Sequence, residues 1–174
     1  FGTSETGILK TKSKSSSSLY FKIIDDDKEY KIKNGELYLR SKTQVNGYVN
    51  HNNDNFIEDG WYATGDLVET DENEYIKIIG RKNKIINVGG LKVLPKEIED
   101  VINSVVGVDE SMVFGEINSL VGNIVCAKVY TSLLETRGLK NEIKSVCRKN
   151  LDKYKVPVKF FFEKLEMTER GKKC

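Results

Sequence analysis

Histidine is nearly absent from this chain. His51 is the only one in 174 residues and stands in an asparagine-rich stretch. A Ser-His-Asp or Cys-His mechanism would rest on that single loop-like residue and is set aside. Cysteine is also scarce. Cys126, Cys147 and Cys174 are odd in number and widely spaced, with neither a zinc spacing nor a disulfide framework. A reduced, cytoplasmic compartment is the simplest expectation. No apolar run approaches the roughly 18–20 residues of a membrane-spanning helix, and no signal peptide is visible, the first residue being Phe rather than Met. Charge of one sign is missing too. Lys and Arg number 28 against 26 Asp and Glu, a net charge of +2, which argues against a nucleic-acid arm or a membrane-surface patch. Residues 1–79 carry no convincing helix.

The first part reads as strands. A polar run at 11–18, Thr-Lys-Ser-Lys-Ser-Ser-Ser-Ser, predicts a surface loop. Leu19–Ile24 and Glu29–Ile32 are short strand candidates around Asp25-Asp26-Asp27, a solvated turn without the spacing of a calcium loop. Asn34-Gly35 is a hairpin-turn signal before a strand at Glu36–Arg40. Further on, Glu74–Ile79 and Ile85–Val88 read as a strand pair around a charged turn at Arg81. Pro95 suits a first helical position, and Ile98, Val101, Ile102 and Val105 fall at helical spacing before Gly107. Ser111–Phe114 and Ile124–Tyr130 read as strands. A second helix carries Leu139, Ile143, Val146, Cys147 and Leu151 on one face, and Lys159–Glu163 is a short aromatic strand. From residue 74 the order is β-β-α-β-β-α-β, an α+β unit with two helices on one sheet.

Chemistry concentrates in two glycine-flanked segments, Gly60-Trp61-Tyr62-Ala63-Thr64-Gly65-Asp66-Leu67 and Gly80-Arg81-Lys82-Asn83-Lys84. Asp66 is an acceptor-only carboxylate and Arg81 a permanently charged planar donor, a combination suited to a ribose diol. Taken singly, each segment is equally well explained as a capped or charged turn. Three more segments stand in order around them: Phe1-Gly2-Thr3-Ser4-Glu5 at the start, Gly89-Gly90 in the middle, and Thr168-x-x-Gly171-Lys172 near the end. Together they resemble the adenylate-forming superfamily of acyl-CoA synthetases, carrier-protein adenylation domains and luciferases.

The resemblance covers nearly the whole chain. It implies a β-rich C-terminal remnant of a large AMP-binding domain at 1–80, followed by a small mobile α+β lid domain at 81–174. It implies ATP or AMP contacts from Phe1, Gly2, Ser4, Asp66 and Arg81, with the ring of Phe1 against adenine, and Mg²⁺ on Glu5. It places a hinge at Asn83, where Asp or Lys is usual, and a pantetheine tunnel at Gly89 and Gly90. Lys172 takes the catalytic position. Ser4 stands where the family has Thr, Glu166-Met167 where it has Pro, and the serine run replaces its Gly-x-Pro region. Gly35-Glu36-Leu37 and Gly47-Tyr48 receive structural roles, a turn and a packed aromatic. The implied reaction joins a small carboxylic acid to a thiol through acyl-AMP, using ATP, Mg²⁺ and coenzyme A. Leu94-Pro95-Lys96-Glu97-Ile98-Glu99 is closer to acyl-CoA synthetases than to adenylation enzymes that load a phosphopantetheinyl carrier protein, the alternative. A non-catalytic binding module that keeps the small domain is the reading from another class. The family's phosphate loop lies upstream of the Phe1 segment, so these 174 residues are expected not to adenylate a substrate alone.

Overall fold

The computed structural model describes residues 2–50, 52–120, 122–133 and 137–164. The chain forms two compact units, Phe1–Asn83 and Lys84–Cys174, each with its own apolar core. The sequence places the division at 80/81; the units part at 83/84, because Arg81 and Lys82 are tied into the first unit.

The first unit contains β1 (Gly2–Thr3), β2 (Gly7–Ile8), β3 (Thr11–Ser13), β4 (Phe21–Ile23), β5 (Lys28–Lys33), β6 (Glu36–Ser41), β7 (Phe56–Ile57), β8 (Trp61–Thr70) and β9 (Ile76–Arg81). A seven-stranded antiparallel sheet runs β3-β4-β9-β8-β6-β5, with β7 on β8, while β1 and β2 pair with each other. Alternation is clearest in β6, where Leu37 and Leu39 are buried among Leu9, Ile23, Val68 and Ile76. Asn34 and Gly35 both take positive φ, 54° and 75°, the backbone that a two-residue hairpin requires and that Asn-Gly supplies at low cost. The polar run at 11–18 is a loop only in part. Its first three residues form β3 against β4, a sheet-edge position where Lys and Ser are tolerated because the backbone, not the side chains, makes the ladder.

The second unit contains β10 (Ile86–Val88), β11 (Leu91–Val93), α1 (Pro95–Asn103), β12 (Glu110–Asn118), β13 (Gly122–Tyr130), α2 (Arg137–Asn150) and β14 (Lys159–Glu163). Its sheet runs β11-β10-β13-β12, and β14 joins β13 in parallel after the α2 crossover. Ile98 and Ile102 of α1 and Leu139, Ile143 and Cys147 of α2 bury in one cluster with Val113, Val125, Ala127 and Val129 of the sheet. Pro95 opens α1 at its first turn, and Glu97 lies at the positive end of the helix dipole. The helix stops at Asn103, and Gly107 (φ 91°) redirects the chain later. The fold is α+β.

Two assignments change. Glu74–Ile79 and Ile85–Val88 do not pair. The first belongs to β9, which pairs with β8, and the second to β10, which pairs with β11 through the Gly89-Gly90 turn. Arg81 accordingly ends a strand rather than sitting in a turn. The order β-β-α-β-β-α-β holds for the second unit, but its first two strands are β10 and β11.

Candidate functional site

Asp66 and Arg81 are cross-strand partners on β8 and β9. Arg81 Nε meets Asp66 Oδ1 at 2.8 Å, with the Asp66 side chain 3% exposed and that of Arg81 53% exposed. Arg81 Nη1 donates to the Thr64 carbonyl at 2.9 Å. Thr64 is itself locked: its hydroxyl donates to the Leu37 carbonyl at 2.8 Å and accepts the Asp66 N–H at 3.0 Å. Gly65 takes φ 74° between them, a backbone that a β-carbon disfavours. Asp66 Oδ2 is buried and has no hydrogen-bond partner among the described residues. A buried, unmatched acceptor normally costs about 1–3 kcal/mol, so an oxygen left in this state beside a fixed cation is suited to a hydroxyl brought by a ligand. Burial pushes the Asp66 carboxyl above its ordinary range. Arg81 opposes this first, then the bond with Thr64, while Glu36 adds to the upward push.

Glu36 is the second buried carboxylate here. Its Oε2 pairs with Lys82 Nζ at 2.8 Å, the Glu36 side chain being 7% and the Lys82 side chain 63% exposed, and it accepts the Tyr38 hydroxyl at 3.3 Å. The β6–β8 ladder shifts register between Glu36 and Tyr38, and the β8–β9 ladder shifts between Leu67 and Val68. Asn83 follows within a 3₁₀ turn, Lys82–Lys84.

Gly2 lies in β1, and Ser4 and Glu5 in the β1–β2 turn. The Glu5 carboxylate accepts the Tyr48 hydroxyl, and the Glu5 carbonyl accepts the Val45 N–H at 3.0 Å. Tyr48 packs edge-on against Phe56, with centroids 5.7 Å apart, and Phe56 against Tyr62 at 5.1 Å. The Tyr62 phenol is pushed up first by burial and then by the Glu5 charge. These three rings link Tyr48 to β8, and the Tyr48 hydroxyl links them to Glu5. In the other unit, Gly89 (φ 57°) and Gly90 (φ 88°) form the β10–β11 turn, closed by Asn87 Oδ1, which accepts the Gly90 N–H at 2.9 Å.

The structure thus joins Asp66 to Arg81 and keeps Gly2, Ser4, Glu5 and Asn83 in the same unit. Phe1 and Lys172 lie outside the described residues. Sequence reasoning missed Thr64 and Tyr62 at the site and the Lys82–Glu36 pair beside it, and it gave Glu36 and Tyr48 structural roles only. A signal for Glu36 existed: it begins the alternating run Glu-Leu-Tyr-Leu-Arg-Ser, on the face opposite the buried leucines. Its partner depends on strand order and was not readable.

A buried carboxylate with one oxygen unpartnered among the described residues, set against a guanidinium, is chemically suited to a hydroxyl-bearing polar ligand. Residues 97–172 match the AMP-binding enzyme C-terminal domain. The chain is 35% identical over 154 residues to a long-chain-fatty-acid–CoA ligase of Haemophilus influenzae, covering 86% of this chain and 27% of that protein. It is 30% identical over 129 residues to a 2-succinylbenzoate–CoA ligase of Enterococcus faecalis, covering 74% and 26%. The solved o-succinylbenzoate CoA synthetase of Bacillus subtilis, in complex with its acyl-adenylate intermediate, matches with a TM-score of 0.71 at 27% identity, over 85% of this chain and 33% of that one. Residues 97–172 thus belong to that C-terminal domain family, and the chain as a whole matches a C-terminal portion of the adenylate-forming enzymes, among them acyl-CoA and related ligases. It spans about a quarter of the length of the curated relatives that it matches.

Proposed function

We propose that this chain is the ribose-binding and domain-turning part of an ATP-dependent, AMP-forming acid–CoA ligase. The observation that carries the proposal is the orphaned Oδ2 of Asp66 beside Arg81. In this reading Asp66 accepts from a ribose hydroxyl and Arg81 donates to the same diol. A carboxylate oxygen of the acid attacks the α-phosphorus of ATP, the α–β phosphoanhydride bond breaks, and pyrophosphate leaves. Thiolate sulfur then attacks the acyl carbon, and AMP departs. Lys172 serves the first step by offsetting charge between carboxylate and phosphate. Residues 1–83 act as part of the large AMP-binding domain and 84–174 as a mobile lid, which turns about Asn83 and brings Gly89-Gly90 to the thiol. Glu5, whose carboxylate accepts the Tyr48 hydroxyl, is the residue that would hold Mg²⁺, an oxygen-seeking ion, and the ion would supply charge neutralisation at the phosphates. Both curated relatives reported above are CoA ligases, which supports CoA over a carrier protein as thiol acceptor.

ATP–pyrophosphate exchange tests this reading. The intact protein is expected to exchange, and the 174-residue chain alone is not. In the intact protein, Asp66→Ala is expected to raise the ATP KM by roughly 10–100-fold, the range for losing hydrogen bonds to a charged group. Lys172→Ala is expected to impair adenylation far more than thioester formation from preformed acyl-AMP. Robust exchange by the isolated chain, or equal losses in both half-reactions for Lys172→Ala, would overturn it.

A further inference from the structure

We propose that the Lys82–Glu36 pair is the stop that fixes where this chain begins to turn, making Lys82 and Glu36 positioning residues for the switch between half-reactions. The inference rests on the reading above. Two consecutive cations leave β9 and both are held by the sheet behind them. Arg81 is held by Asp66 of the adjacent strand β8, and Lys82 by Glu36 of β6, the strand beyond. The anchor is firm on the Glu36 side. Its side chain is buried, its oxygen also accepts from Tyr38, and the preceding Gly35 carbonyl accepts the Val68 N–H at 2.8 Å. An exposed ion pair contributes little to stability, but a buried carboxylate that loses its cation is strongly penalised. Lys82 is therefore kept with the first unit although most of its side chain is in water. The ladder holds β9 as far as Arg81, paired with Asp66, and holds Glu36 against Leu67; Lys82 lies one residue past the last pair, where the Glu36 carboxylate carries the restraint. Asn83 and Lys84 are the first positions past both clamps, and the units divide between them. A pivot confined to one peptide delivers the second unit to reproducible end points, whereas a pivot spread over residues 81–84 does not.

The test uses the intact protein with Lys82→Met, Lys82→Arg and Glu36→Gln. Hydrogen exchange of a peptide covering residues 80–86 is followed by mass spectrometry, together with single-turnover formation of acyl-AMP and its consumption by CoA. Lys82→Met and Glu36→Gln are expected to speed exchange at residues 81–84 by about 10-fold or more. They are expected to slow the thiol step at least about fivefold relative to adenylation, with ATP KM within about twofold of the parent. Lys82→Arg is expected to restore both. Unchanged exchange, equal slowing of the two steps, or a Lys82→Arg variant as impaired as Lys82→Met would overturn the proposal. If the parent protein catalyses neither half-reaction, the ligase reading fails, and exchange alone decides the pivot: a rise confined to 81–84 that Arg reverses supports it, and anything else refutes it.

Discussion

Arg81→Met and Asp66→Asn break the same 2.8 Å contact, yet they are expected to differ sharply in stability. Asp66 is almost wholly buried and Arg81 is half in water. Removing the arginine leaves a buried carboxylate whose second oxygen already lacks a partner. Breaking fully buried pairs in this way costs about 3–5 kcal/mol; the solvated half of Arg81 reduces the expectation to about 2–3 kcal/mol. Asp66→Asn instead leaves a guanidinium that keeps water and the Thr64 carbonyl, so its effect is expected within about 1 kcal/mol of the parent. Adding Asp66→Asn to Arg81→Met should recover most of the loss, a coupling of about 2 kcal/mol. The pH dependence has a definite sign. Burial raises the folded-state pKa of Asp66, so the folded state holds its proton better than the unfolded chain. The residue's contribution to stability therefore falls as pH rises from the ordinary carboxylate range to the raised value. Arg81 is the largest influence opposing that rise, so removing it extends the window upward, and the Arg81→Met penalty should shrink on acidification. Urea unfolding monitored by tryptophan fluorescence is well matched to the question, because the chain's single tryptophan, Trp61, lies in β8 of the first unit. Equal losses from the two single variants, or an Arg81→Met penalty indifferent to pH, would refute the reasoning.

Two further outcomes concern the second unit. Gly107→Ala is expected to destabilise it by about 1–3 kcal/mol, measured by thermal unfolding, because φ is +91° and a β-carbon would lie 2.7 Å from Leu133 Cδ1; a neutral result would mean that the chain reroutes after α1. Cys126 and Cys147 are buried, and burial pushes the Cys147 thiol up to about 11. Neither should react with a thiol reagent in the native protein, and both should react in denaturant; rapid native labelling of either would contradict the packing around α2 and β13.

Local signals were legible where one element carries its own evidence. The Asn34-Gly35 turn, the apolar stripes of α1 and α2, and the aromatic strand Lys159–Glu163 all follow from periodicity and turn chemistry. What failed depended on pairing. A strand followed by a charged glycine-containing turn and another strand looks like a hairpin, and nothing local in Glu74–Val88 says that its halves join different sheets. Trp61–Thr70, a ten-residue strand, was read only as a motif, because Gly65 and Asp66 are turn residues by propensity; Gly65 does take a positive φ of 74°, and Asp66 is kept in the strand by its pairing with Arg81. The carboxylate–arginine pair was visible as a motif, whereas Glu36–Lys82 spans three strands and becomes visible only with their order.

The β10–β11 hairpin has a mechanical character of its own. Its base is anchored by Ile86 and Val93, buried in the core of the unit, whereas toward the tip the hairpin meets β13 through the Val88–Gly122 bridge and the bond from Asn123 Nδ2 to the Asn87 carbonyl at 3.1 Å. Among the described residues, chain neighbours aside, nothing lies within 4 Å of where a β-carbon would stand on Gly89 or Gly90. The tip is a cantilever: its shape is set by its own dihedral angles and its load on the core is small. Space around the tip therefore sets no demand for glycine; the demand comes from the positive φ of the turn itself and from whatever the tip meets.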